Sequence, residues 1–164
     1  MQSIQTVSEN TIYVGASDRR LAKFENLFPI PRGVSYNAYV ILDEKTALLD
    51  TADASVGAQF LENVAAALDG RKLDYLIVDH MEPDHAAMIE AVLVRWPDLR
   101  LVVNAKTLPM LKMYFPTDSA AIDDALVVKE GDTLDLGKHK LTFVMAPMVH
   151  WPEVMMTFDT TTGT

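Results

Sequence analysis

The chain has 164 residues, 49% of them apolar and 23% charged, which suits one domain with a sizeable core and excludes a globally disordered chain. A formal net charge of −9 without any basic cluster argues against nucleic acid or an anionic membrane as partner. Cysteine is absent, which excludes disulfides, thiolate ligands, iron–sulfur ligation and a cysteine nucleophile; any metal must be held by nitrogen and oxygen.

The first ten residues lack the charged and apolar regions of a signal peptide. No apolar run approaches the roughly 20 residues that span a bilayer, so a cytoplasmic protein is expected. Thr11 to Val14 reads as a short strand. Tyr36 to Leu42 reads as one strong strand, turned by Asp43-Glu44-Lys45 into a hairpin partner, Thr46 to Asp50. Apolar residues at helical spacing (Val56, Phe60, Leu61, Val64, Ala65, Leu68) predict a helix from Ser55 to Leu68, stopped by Gly70.

Leu73 to Val78 is a nearly continuous apolar run, as expected of a strand buried on both faces. A second helix is predicted from about His85 to Arg95, with Met88, Ile89, Val92 and Leu93 inward. A strand at Leu101 to Asn104 and a helix at Lys106 to Tyr114 follow. Strands at Thr133 to Leu136 and Leu141 to Met145 flank the turn Gly137 to Lys140. Val154 to Phe158 is a last strand, running into a turn that begins at Asp159. This order indicates an α/β layered domain. Ligands of such folds sit outside the C-terminal ends of strands.

That position is occupied by V-D-H-M-E-P-D-H, residues 78 to 85, which holds two of the chain's four histidines among three acids. In an extended segment residues i and i+2 share a side, so His80, Glu82 and Asp84 can line one side of the loop. Pro83 pushes Glu82 toward an extended backbone. His85 opens the next helix and approaches from a neighbouring direction. One segment thus offers ligand pairs to two adjacent cations, which would screen the repulsion among the carboxylates. His150, on a second strand-end loop before Trp151-Pro152, is the natural distant ligand. His139, in a polar turn between lysines, has no expected role.

Each residue also has a plainer reading: Asp84 as a helix N-cap, Glu82 as a solvated loop acid, His150 as a packed or hydrogen-bonded ring. Five suitable donors in two strand-end loops favour a metal site. Two histidines with a carboxylate suit non-haem iron, and Glu82 tilts the set toward iron or manganese, although zinc also accepts glutamate.

H-M-E-P-D-H, His80 to His85, resembles the iron-binding motif of flavodiiron proteins, members of the metallo-β-lactamase superfamily. Gly33 to Tyr39, Asp43 to Thr51 and Pro147 to Pro152 resemble further segments of that family, in the same order. The resemblance implies an αββα sandwich, of which residues 1–164 form the N-terminal part, with a flavodoxin-like domain expected downstream. It implies two non-haem irons, one on His80, Glu82 and His150, the other on the side of Asp84 and His85. Asp159 is not expected to act as the bridging acid, since in the family that acid follows the next strand. The implied reaction is reduction of dioxygen to water or of nitric oxide to nitrous oxide, with electrons from FMN and a rubredoxin-like or flavin reductase donor. FMN is not expected to bind to this chain, which is expected to be inactive alone, to hold metal incompletely and to self-associate as a homo-oligomer. The rival readings are a dinuclear-metal hydrolase of the same superfamily and a metal-free scaffold.

Overall fold

The structure is a computed structural model describing residues 3–164; Met1 and Gln2 of the N-terminal stretch considered above lie outside the described residues. Among the described residues, fourteen strands and five α-helices follow in chain order. The N-terminal third is strand-rich: β1 (Gln5–Ser8), β2 (Thr11–Tyr13), β3 (Ala16–Asp18), β4 (Lys23–Phe24), β5 (Phe28–Pro29), β6 (Val34–Tyr36), β7 (Tyr39–Leu42) and β8 (Thr46–Leu49). Then come α1 (Gly57–Leu68), β9 (Tyr75–Ile77), α2 (Pro83–Ala86), α3 (Ile89–Arg95), β10 (Arg100–Asn104), α4 (Thr107–Tyr114), α5 (Ser119–Asp123) and β11 (Leu126–Val128). β12 (Thr133–Asp135), β13 (Lys140–Met145) and β14 (Met155–Asp159) close the chain.

A seven-stranded sheet in the order β1-β2-β7-β8-β9-β10-β11 is the central layer. Neighbours among its first four strands are antiparallel, whereas β8, β9, β10 and β11 run parallel. The period of two along the parallel strands distributes their side chains between two cores. Leu76, Val78, Leu101 and Val103 pack with Phe60, Val64, Leu68, Ile89, Val92 and Leu111 on the helical face. Ile77 and Val102 point the other way, into a second cluster with Leu134, Leu141, Phe143 and Met155 of the three-stranded sheet β12-β13-β14. Burial on both faces is why these strands read as unbroken apolar runs. The result is a helix layer on a sheet on a sheet.

Two predicted elements are interrupted. The stretch Tyr36 to Leu42 is not one strand. β6 pairs with β3 in a separate two-stranded sheet, and the chain crosses at Asn37-Ala38 into β7, where the Ala38 carbonyl accepts Val14 N–H at 2.9 Å. The helix expected from His85 to Arg95 is two short helices. Thr51 donates both its N–H (2.8 Å) and its hydroxyl (2.6 Å) to the His85 carbonyl, and its hydroxyl oxygen accepts Met88 N–H at 3.3 Å. Those contacts occupy the backbone groups that would otherwise continue the helical ladder. The strands β1, β3, β4, β5 and β11 and the helix α5 are short and carry little periodicity, and were not anticipated.

His139, in the turn between Lys138 and Lys140, is buried. Its Nδ1 lies 2.8 Å from Asp159 Oδ2, and its N–H donates to Asp43 at 2.6 Å. Asp159 further accepts Thr162 Oγ1 at 2.7 Å and Thr161 N–H at 2.9 Å, so its carboxylate closes the turn after β14. Burial pushes the Asp159 carboxyl up, but these bonds outweigh it and hold the group below its ordinary value.

Candidate metal centre

The parallel strands β8 and β9 run side by side, so their C-terminal ends deliver Asp50 and Asp79-His80 to the same edge of the sheet. The loop between β13 and β14 closes over that edge and carries His150. Met148 and His150 both take positive φ, 65° and 51°, in a tight turn whose Val149 and Trp151 bridge each other. This turn aims the His150 ring back toward β9.

His80, Glu82 and His150 meet there. His80 Nε2 lies 3.0 Å from Glu82 Oε2 and 3.1 Å from His150 Nε2, and His150 Nε2 lies 3.0 Å from the same Glu82 oxygen. Each residue offers one ligand atom to the group; His80 and Glu82 are buried and His150 is exposed. Two imidazoles and a carboxylate converging on one point are a donor set for a first-row divalent metal.

Asp84 and His85 stand beside this trio rather than within it. Glu82, not Asp84, is the N-cap residue of α2, and Pro83 occupies its first position. Asp84 therefore does not cap the helix. Its Oδ2 lies 3.6 Å from His85 Nε2, and its buried Oδ1 has no hydrogen-bond partner among the described residues. The His85 and His80 ring centroids are 5.2 Å apart, so the Asp84–His85 pair adjoins the first group. A buried carboxylate oxygen left without a donor is costly unless a cation or proton answers it. The orphaned oxygen and the neighbouring imidazole fit a second cation.

Two acids behind the histidines were missed. Asp50, at φ 54°, follows β8; its Oδ2 lies 2.9 Å from His85 Nδ1, and its Oδ1 accepts Asp79 N–H at 2.8 Å. Glu153 Oε1 lies 2.8 Å from His80 Nδ1. The available signals were an aspartate closing an apolar strand and an acid three residues after His150. Asp79 does not face the donor group: its carboxylate accepts Thr157 Oγ1 at 2.8 Å.

The electrostatics follow from this crowding. Burial pushes the Glu82 carboxyl up, but hydrogen bonds with Glu25 and His80 and the nearby His150 hold it below its ordinary value. Glu25 is raised in turn, first through its hydrogen bond with Glu82. Burial raises Asp84, and burial followed by repulsion from Asp50 raises Asp79 well above its ordinary value. Burial opposes charge on His85, yet the hydrogen bond and charge of Asp50 lift it to about 9.

The layered sheets, with metal donors at the C-terminal strand ends, define a metallo-β-lactamase-like domain. Residues 34–164 match the family described as ODP family beta lactamase, and the chain belongs to that family. It is 36% identical over 154 residues to a nitric oxide reductase of Moorella thermoacetica, covering 93% of this chain and 38% of that protein. Among solved structures, the rubredoxin oxygen:oxidoreductase of Desulfovibrio gigas superposes with a TM-score of 0.88 at 31% identity, covering 96% of this chain and 38% of that one. The flavodiiron protein of Giardia intestinalis gives a TM-score of 0.88 at 26% identity, covering 97% and 38%. The relatives are flavodiiron proteins, as the motif suggested, and the chain spans about two fifths of their length. Among the described residues, no helix is long and apolar enough to cross a membrane.

Proposed function

We propose that this chain is the metal-binding part of a flavodiiron oxidoreductase that reduces dioxygen to water, nitric oxide to nitrous oxide, or both. The observation that carries this reading is the convergence of His80, Glu82 and His150 on one point, beside Asp84 and His85. His80, Glu82 and His150 hold one cation; Asp84 and His85 hold or face the second. When bound, a pair of iron ions supplies electrons and Lewis acidity for reduction of the gas.

The chain's own residues prepare that site. Pro83 and the turn at Met148 to Trp151 fix the two loops. Asp50 orients His85. Trp151 stands edge-on to His80, with ring centroids 5.3 Å apart, and walls that side of the ring. In the whole protein a flavodoxin-like domain carries FMN, fed by a rubredoxin-like or flavin reductase donor, and the subunits form a homo-oligomer. Residues 1–164 by themselves do not turn over.

The test is metal analysis with gas consumption. The full-length protein is expected to bind a pair of irons and consume oxygen or nitric oxide with a reductase, while the isolated chain holds metal incompletely and consumes neither gas. Zinc in the site together with ester cleavage would transfer the assignment to a hydrolase of the same fold.

A further inference from the structure

The proposed metal site uses one nitrogen of His80, and the other is engaged by a residue that nothing so far has given a role beyond contact. Glu153 is a glutamate whose side chain is 0% exposed, next to a proline in the closing loop. Its Oε1 lies 2.8 Å from His80 Nδ1 and accepts the Met81 N–H at 3.0 Å; its Oε2 is buried without a hydrogen-bond partner among the described residues. No lysine or arginine is among its partners. A buried carboxylate with so little compensation is expensive, and that cost needs a reason.

We infer that Glu153 is a positioning residue for the cation bound by His80: it fixes the imidazole as the tautomer protonated at Nδ1, so that the Nε2 lone pair faces Glu82 and His150. An imidazole that donates its far N–H to a carboxylate is both oriented and made more basic at the ligating nitrogen. The contact with Met81 N–H matters here. Because that amide can only donate, it holds Oε1 as an acceptor, and His80 Nδ1 must supply the second proton. A cation on the far side of the ring answers the buried charge through the imidazole.

The backbone supports this assignment. Asn104, at the end of β10, donates its side-chain amide to the Glu153 carbonyl at 2.5 Å. The Asn104 side-chain oxygen, Oδ1, accepts Lys106 and Thr107 N–H at 2.9 and 3.1 Å, at the start of α4. Lys106 Nζ donates to the Pro152 carbonyl at 3.1 Å. Glu153 is thus tied through its backbone to the end of β10 in the parallel sheet, which fixes its place beside His80. The Trp151 ring, at 90° to His80, limits rotation from the other side.

The inference rests on the proposed metal site, and the test separates the two. Cobalt(II) binding to the 164-residue chain is measured by calorimetry and visible absorption, for wild type, Glu153→Ala, Glu153→Gln and the exposed control Glu62→Gln. In parallel, imidazole nitrogen NMR on the metal-free chains reads which His80 nitrogen carries the proton, on the alkaline side of the imidazole titration. Glu153→Ala is expected to weaken cobalt binding by about 10- to 100-fold and to move the His80 proton from Nδ1 toward Nε2. Glu153→Gln, nearly isosteric and still able to accept, gives a smaller loss and keeps the fold if Glu153→Ala does not. Glu62→Gln changes neither readout. If wild type binds cobalt and both Glu153 variants match it within about twofold with an unmoved tautomer, the inference is overturned. If wild type binds no cobalt, the metal reading fails instead, and the tautomer alone judges Glu153: a His80 proton that ignores its removal ends the inference.

Discussion

His80 and His150, 70 residues apart in the chain, place their Nε2 atoms 3.1 Å from each other and both within 3.0 Å of the same oxygen of Glu82. Two nitrogens and a carboxylate oxygen held this closely support the proposed shared cation. Glu82→Ala should therefore raise the Kd for ferrous ion by about a hundredfold or more, a loss of about 2.7 kcal/mol. Anaerobic titration of wild type and variant checks this. Equal affinities would show that Glu82 is a bystander.

Asp50 is as consequential as any ligand, although it touches His85 rather than the trio. Its two oxygens hold His85 Nδ1 and Asp79 N–H, and it does so from a left-handed backbone. Asp50→Ala strands the buried amide and the imidazole and places alanine at positive φ. A stability loss of about 2–4 kcal/mol in urea unfolding is expected. A loss below about 0.5 kcal/mol would mean the contacts are not maintained in solution.

The pH dependence of stability has a contributor outside the metal site. Hydrogen bonds from the side chain and backbone of Arg20 hold the Asp18 carboxyl at about 2, against an ordinary value of 3.8. Since the folded value lies below the unfolded one, this stabilisation is complete above about pH 4 and drains away as the pH falls toward 2. Urea unfolding of wild type and Asp18→Asn should differ near neutrality and converge on acidification. A difference that stays constant from pH 5 to the acid limit would rule out this origin; these pH limits are approximate and follow from the ordinary carboxylate range.

β14 is an edge strand of the three-stranded sheet, and it displays Met156 and Phe158 at 53% and 43% exposure. Exposed apolar edges pair with other chains unless charge blocks them. The isolated chain should therefore sediment as more than a monomer at high concentration, and the double variant Met156→Lys, Phe158→Lys should shift it toward monomer. A wild-type monomer at every concentration would remove the case for self-association through this edge.

Much of the architecture was legible because short-range physics controls it. The buried strand expected within Leu73 to Val78 and the helix ending at Leu68, before Gly70, follow from periodicity and chain-stopping residues, and both are present, as β9 and α1. The motif of His80 to His85 was legible because so many donors in so few residues have few other uses. The continuity of Tyr36 to Leu42 and of His85 to Arg95 was misread for one reason: the breaks are imposed from far away, by β3 in one case and by Thr51 in the other.

The sequence by itself determined the donor chemistry: nitrogen and oxygen only, concentrated after one strand, with a second histidine loop to meet it. Only the tertiary structure decided which donors share a point and which stand beside it, and which acids lie behind the imidazoles. The spacing of i and i+2 suggested His80, Glu82 and Asp84 as one row, but α2 begins at Pro83 and its helical turn carries Asp84 away toward His85. Asp50 and Glu153 lie 35 and 73 residues from the histidines they hold. Contacts of that separation depend on the parallel pairing of β8 with β9 and on the loop before β14, and no local pattern encodes them.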